Sequence, residues 1–324
     1  MPERSFVPVR VAIVQQPPVF LDRSATLARA AALVAESAAQ GAGLVVLPES
    51  FVPGYPDYIW RLSPGDDYDL SRELHGRLVA QAVDLAADDL LPLREAASAA
   101  AVAVVVGVTE RDGAFSRATL YNTLVVIGAD GAILNRHRKL VPTNPERMVW
   151  APGDATGLRV VETPFGRLGG LVCWESYMPL ARFALYAQGV QVYVAPTWDE
   201  GDTWLATMRH IAAEGRCWVL GAGSALRAAD MPLDLPERDR LYPDPDEWVN
   251  PGDSVVVAPG GRVVAGPLHA EYGVVWADVD AALADAAHYT LDAAGHYARP
   301  DVFRLDVDRR PRPQVGFSDG SSEA

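Results

Sequence analysis

The 324-residue sequence predicts an α/β protein with a mixed rather than purely parallel sheet, on three observations. Short apolar runs rich in β-branched residues alternate with helical segments. Two hairpin signals, Ala129-Asp130-Gly131 and Pro259-Gly260-Gly261, interrupt that alternation, and hairpins join antiparallel strands. No linker divides the chain, so one domain over 1–303 is expected, followed by a polar tail at 304–324.

Taken in order, residues 9–15 form the first strand. Ser24 is placed to cap a helix running to about Gln40, where Gly41 ends it. Residues 44–47 form a buried strand stopped by Pro48 and Glu49. A loop rich in Pro, Gly, Tyr and Trp follows to about Asp69, then one helical pattern over 71–100. Residues 102–108 form another buried strand, and 120–127 and 132–136 flank the first hairpin signal. The second half repeats these kinds of element: strands at 167–172, 190–195 and 216–221, with helices at 178–188 and 203–214. Polar, Pro-rich residues 225–252 read as a long surface loop. Residues 254–257 and 262–265 flank the second hairpin signal, and 272–279 form the last strand.

Composition excludes several classes. A hydrophobic fraction of 49% and a charged fraction of 22% supply enough apolar side chain to offset the entropy of ordering, so the chain is not disordered. A net charge of −14 repels a phosphate backbone, which argues against a nucleic-acid partner. Two cysteines cannot form a disulfide framework and fit a reducing compartment. The start, MPERSFVPVR, has no apolar core of a signal peptide, and no run of 18 apolar residues suggests a membrane span. A soluble, cytoplasmic protein without a membrane partner is expected. There is no GxGxxG or GxxxxGK[ST] phosphate-binding motif.

Three polar residues stand at strand ends, where α/β proteins usually meet their ligands. Glu49 ends LVVLPE, Lys139 follows the strand in NRHRKLVPT, and Cys173 ends GRLGGLVC. Each has an ordinary reading beside a chemical one. Cys173 is a buried small hydrophobe, or a nucleophile on a turn where Gly169 and Gly170 allow close backbone approach. Lys139 is a solvated charge among Arg136, His137 and Arg138, or a cation facing negative charge on a substrate. Glu49 is an exposed cap, or a general base. His137 and His296 compete for the role of base. Cys217 lies inside a strand and reads as a core residue.

Together LPESF, HRKLVPT and GGLVCWESYMPL resemble the three signatures of the nitrilase superfamily of carbon–nitrogen hydrolases, in the same order and with spacings of 90 and 34 residues. The resemblance runs from Val11 to about Phe303. CWE at 173–175 is similar to true nitrilases, whereas many amidases and carbamoylases carry Tyr after the cysteine. HRKLVPTNPERMVW, APTWDEGDTW, MRHIAAEGRCWVLGAG and GHYARPDVF resemble further true-nitrilase segments.

The resemblance implies an α-β-β-α four-layer sandwich that dimerises, and hydrolysis of an organic nitrile to the carboxylic acid and ammonia. An amidase, a carbamoylase or a cyanide-hydrolysing enzyme of the same superfamily is the alternative. It implies Cys173 as nucleophile, Glu49 as general base, Lys139 as the stabilising cation and Glu146 as a second active-site glutamate. The Trp174 backbone N–H would assist Lys139. No metal or organic cofactor is implied. Tyr55, Trp60, Trp198 and His296 are candidates for the substrate pocket. Glu175, beside the nucleophile, reads as a buried carboxylate paired with an arginine. About twenty residues follow Phe303, shorter than the extensions of filament-forming nitrilases, so a homodimer or small homo-oligomer is expected.

Overall fold

In the computed structural model the described residues are 6–311, 313, 315 and 316; the rest of the expected tail, 312, 314 and 317–324, lies outside them. Among the described residues the strands are β1 (Val9–Gln15), β2 (Leu44–Val46), β3 (Ala103–Arg111), β4 (Leu120–Ile127), β5 (Ile133–Arg138), β6 (Val161–Thr163), β7 (Gly166–Gly170), β8 (Val192–Thr197), β9 (Trp218–Gly223), β10 (Ala225–Arg227), β11 (Trp248–Ala258), β12 (Arg262–His269) and β13 (Gly273–Val279). The helices are α1 (Arg23–Ala39), α2 (Tyr68–Gln81), α3 (Leu91–Ala100), α4 (Pro179–Tyr186), α5 (Gly201–Gly215), α6 (Arg238–Leu241) and α7 (Ala281–Ala287).

One sheet has the order β13-β1-β2-β3-β4-β5; the other runs β10-β11-β9-β8-β7-β6, with β12 also paired to β11. Each holds a parallel trio, β1-β2-β3 or β7-β8-β9, extended by antiparallel strands. Both hairpin signals join antiparallel neighbours, β4 to β5 and β11 to β12.

Side-chain alternation sets the layers. Val11, Ile13, Val46 and Val105 of the first sheet meet Leu168, Val192, Val194 and Leu220 of the second in one buried cluster. The alternate residues Ala12, Val14, Val45 and Val104 face Leu27, Ala30 and Val34 of α1 and Leu93 and Ala97 of α3. On the far side, Tyr193, Ala195 and Val219 pack on Leu185 of α4 and Met208 and Ile211 of α5. Strands covered on both faces need apolar residues at consecutive positions, which is why they read as unbroken apolar runs. The result is the expected α-β-β-α sandwich. No helix among the described residues is long and apolar enough to cross a membrane.

Three expectations need correction. The cap of α1 is Asp22, whose side chain accepts from the Ala25 N–H, and not Ser24. The helical pattern at 71–100 is two helices. Between them Val83 is fully buried and adds a parallel bridge to Glu110 of β3, which outweighs the local helix propensity of the Ala-rich stretch. The supposed loop 225–252 holds β10, α6 and the start of β11. Its Leu226, Met231, Leu235, Leu241 and Tyr242 are buried against Tyr58, Leu74 and Leu78. These anchors follow no helical or strand period, and their polar neighbours pair across the chain: Arg61 donates to Glu247 at 2.6 Å and to the Leu241 carbonyl at 2.8 Å.

Candidate active site

Glu49 sits in the turn after β2. Gly107 of β3 faces that turn so closely that a Cβ there would lie 2.4 Å from the Pro48 carbonyl oxygen and 2.5 Å from the Ser50 nitrogen. Only glycine admits the turn. Ser50 takes the left-handed conformation, φ 47°, and its hydroxyl meets that of Thr109 at 2.8 Å. Cys173 follows β7 and opens a single 3₁₀ turn, Cys173–Tyr177, with φ 54°. A non-glycine residue held there carries strain of about 1–3 kcal/mol, and such strain clusters at functional sites. Gly170 lets this strand close on β8: its Cβ would lie 2.3 Å from the Val194 carbonyl oxygen. Lys139 follows β5, its N–H fixed to the Asn122 carbonyl at 2.7 Å. Glu146 lies in a 3₁₀ turn, Asn144–Met148, and accepts from the Thr143 N–H at 2.7 Å.

These four residues converge and are buried. Lys139 Nζ donates to Glu49 Oε1 at 3.0 Å and to Glu146 Oε2 at 2.8 Å. Glu49 also accepts from Asn122 Nδ2 at 2.7 Å and from the Trp198 N–H at 2.6 Å. The Tyr55 hydroxyl donates to Glu146 Oε1 at 2.8 Å and accepts from Trp60 Nε1 at 3.0 Å. The Tyr55 ring stacks on Trp198 with centroids 4.2 Å apart.

Electrostatics assigns the resting charges. Burial raises the Cys173 pKa, and Glu49 and Glu146 raise it further; Lys139 and a Thr197 hydrogen bond oppose them without prevailing. The thiol is therefore protonated at rest. Burial raises Glu49 above its ordinary 4.5, and Lys139 is the main opposing influence. Burial alone would lower Lys139, but Glu49, Cys173 and Glu146 outweigh it and raise it, so the lysine stays charged. The site can thus offer a thiol, a poised carboxylate and a fixed cation beside one another.

A cleft of about 220 Å³ opens onto Cys173 and Glu146. Tyr55, Trp60, Trp174, Trp198 and Val249 form its apolar walls; Thr143, Asp199, Glu200 and Asn250 complete it. Trp174 is half exposed, and its Nε1 donates to Asp199 at 3.0 Å. His296 does not join this group: it is exposed, 5.6 Å from the Tyr297 ring, and is not among the described residues lining the cleft. His137 faces Glu175 at 3.1 Å, which replaces the expected arginine as that carboxylate's partner. Cys217 is fully buried just before β9, its thiol pushed up to about 12 by burial.

Three contacts escape sequence reasoning: the Asn122 side chain, the Thr197 hydroxyl and the Trp198 N–H. Asn122 leaves a trace, being a polar residue inside the apolar run LYNTLVVI. Replacing Asn122 by Leu removes a hydrogen bond that lowers the Glu49 pKa. The acidic limb of the kcat/KM–pH profile should then move to higher pH. Activity near neutrality should fall on the order of tenfold, the equivalent of one charge-assisted hydrogen bond.

Residues 10–289 match the family model of the carbon–nitrogen hydrolases, and the chain belongs to that family. It is 41% identical over 307 residues to an aliphatic nitrilase of Sinorhizobium fredii (strain HH103), covering 94% of this chain and 97% of that relative. It is 39% identical over 322 residues to a bifunctional nitrilase/nitrile hydratase of Lupinus angustifolius, covering 97% of this chain and 90% of that relative. Among solved structures, a carbon–nitrogen hydrolase from Helicobacter pylori G27 shares the fold, with a TM-score of 0.68 at 19% identity over 91% of this chain and 97% of that one.

Proposed function

We propose that the protein is a nitrilase that converts an organic nitrile to its carboxylic acid and ammonia, with Cys173 as nucleophile. The observation that carries this reading is the buried Glu49–Lys139–Glu146 cluster beside a cysteine held at φ 54° on the cleft. The 41% identical aliphatic nitrilase supports it.

A nitrile carbon is a weak electrophile, and a thiolate is the strongest nucleophile among ordinary side chains near neutrality. Because the resting thiol is protonated, attack needs a base, and Glu49, whose charge acts on Cys173 within the same buried cluster, takes that proton in this reading. As sulfur adds to the nitrile carbon, negative charge grows on nitrogen. Lys139 and the Trp174 N–H, near the start of its 3₁₀ turn, stabilise that charge. Glu49 delivers its proton to the nitrogen, giving a thioimidate. Water adds to the carbon, ammonia leaves, and a thioester remains. A second water, deprotonated by Glu49, releases the acid and restores the thiol. Glu146 holds Lys139 in place and keeps it charged.

The cleft suggests the substrate class. Its walls are aromatic, its polar rim carries Asp199 and Glu200, and no lysine or arginine is among the described residues lining it, the site's cation Lys139 being buried behind it on Glu49 and Glu146. A small nitrile with a neutral, apolar substituent fits; an anionic substituent would meet the rim carboxylates Asp199 and Glu200, while Lys139 is already paired to Glu49 and Glu146. The two free cysteines, both buried, fit a reducing cytoplasm, and the family resemblance favours a homodimer or small homo-oligomer.

The test is ammonia release with product identity across aliphatic, aryl and anionic nitriles, the matching amides, and cyanide. Carboxylate from neutral nitriles, with amides untouched and anionic nitriles slow, is expected. Turnover of amides without nitriles would overturn the reading in favour of an amidase.

A further inference from the structure

We propose that Glu175 is a positioning residue, a single carboxylate that ties the lysine-bearing segment to the nucleophile-bearing turn and so sets the distance between Lys139 and Cys173. The inference rests on the reading of Cys173 as the nucleophile.

Glu175 is fully buried and touches both segments. Its Oε1 accepts from the Leu140 N–H at 2.7 Å, one residue past Lys139. Its Oε2 accepts from the Val172 N–H at 2.8 Å, one residue before Cys173. Both oxygens lie 3.1 Å from His137 Nε2, two residues before Lys139. Lys139 is thus bracketed on both sides by groups bound to the same carboxylate. The two segments start in different sheets, β5 in one and β7 in the other. Strand pairing within each sheet therefore does not fix the separation of Lys139 from Cys173, whereas this carboxylate spans it.

The surroundings favour a charged staple. Burial opposes ionisation, but His137 and the two N–H donors outweigh it and hold the Glu175 pKa below its ordinary value. His137 Nδ1 has no partner among the described residues, so the ring's hydrogen bonding is directed to Glu175 alone. Glu175 also closes the turn that Cys173 opens, accepting from the residue before it. A carboxylate can serve all three donors at once. A glutamine of the same size turns an NH₂ toward one of the two backbone N–H groups and loses that bond.

The test uses Glu175→Gln, with folding checked by circular dichroism and thermal melting. Two quantities are read on the folded protein: kcat and KM for a turned-over substrate, and the second-order rate of Cys173 alkylation by iodoacetamide, with Cys173→Ala as the background. Displacing a catalytic group by a fraction of an ångström to 1 Å costs up to about 100-fold, so kcat and the alkylation rate should both fall on the order of 10–100-fold. KM should stay within about threefold, because Glu175 does not line the cleft. Glu175→Asp, which keeps both acceptor oxygens, should recover part of the alkylation rate. Unchanged kcat and alkylation in folded Glu175→Gln would overturn the proposal. If that variant does not fold, His137→Gln, which keeps both backbone bonds, takes its place: a smaller parallel loss in both rates supports the proposal, and no loss overturns it. Alkylation requires no nitrile, so failure of the nitrile reading and failure of this one are separable.

Discussion

Replacing Cys173 by Ala should abolish turnover of every substrate while the protein still folds. The substitution removes one sulfur and leaves Cβ in place, so the backbone at φ 54° accepts Ala as it accepts Cys. The thiol packs in the cluster between the sheets, and its loss costs stability of about 1 kcal/mol, the usual scale of a small core truncation. Among the described residues no other thiol lines the cleft. Cys217 is buried before β9 among the residues packed on α5, away from the cleft. Cys217→Ala should therefore carry a similar stability cost and keep most of the activity. Mass spectrometry after mixing with a slow substrate should show a covalent adduct on the wild type and on Cys217→Ala, and none on Cys173→Ala. Stability adds a second signature. Burial raises both thiols in the folded state, so above their ordinary pKa of about 9 the unfolded chain loses protons that the folded chain keeps. Stability then falls as pH rises past 9, and each Cys→Ala variant should flatten that fall. Equal loss of activity in both variants would show that the cysteines act through stability alone.

The parts of this site that the sequence displays are those where chemistry is tied to local punctuation. Glu49, Lys139 and Cys173 each interrupt or follow an apolar run, and a polar residue at a strand end is visible without knowing which strands pair. The sandwich is partly visible for the same reason: unbroken apolar runs announce strands covered on both faces, and Asp-Gly and Gly-Gly announce hairpins. What escapes is decided between distant segments. Val83 interrupts a helical pattern because β3 offers it a bridge 27 residues away. Residues 225–252 look like loop because Leu226, Leu235 and Tyr242 find their neighbours on α2 and the preceding loop instead of within their own segment. Asn122 matters only because Glu49 arrives opposite it, 73 residues earlier in the chain. His296 is the converse case: it shares a motif resemblance, yet the fold leaves it exposed and outside the cleft.

Glu49→Gln should separate catalysis from folding more cleanly than any other change in the cluster. The buried group contains two carboxylates, Glu49 and Glu146, around one ammonium, Lys139. Lys139→Met removes the only cation and strands both carboxylates, a defect of about 3–5 kcal/mol that confounds any loss of activity with loss of structure. Glu49→Gln instead leaves one carboxylate facing one ammonium. Its effect on stability follows from the direction of the Glu49 shift. Burial raises that pKa above 4.5, so as pH rises past 4.5 the unfolded chain releases a proton the folded chain still holds, and the wild type loses stability through that window. The glutamine does not titrate, so the variant should show no such loss and melt near neutrality at or above the wild-type temperature. Turnover should nevertheless fall by about 10²–10⁴-fold or more, because the group proposed to take the thiol proton and to activate water is gone. Thermal melts from pH 4 to 8, run beside ammonia release, check both halves. A stable variant with near wild-type turnover would remove Glu49 as the base and pass the role to Glu146, the other carboxylate on Lys139.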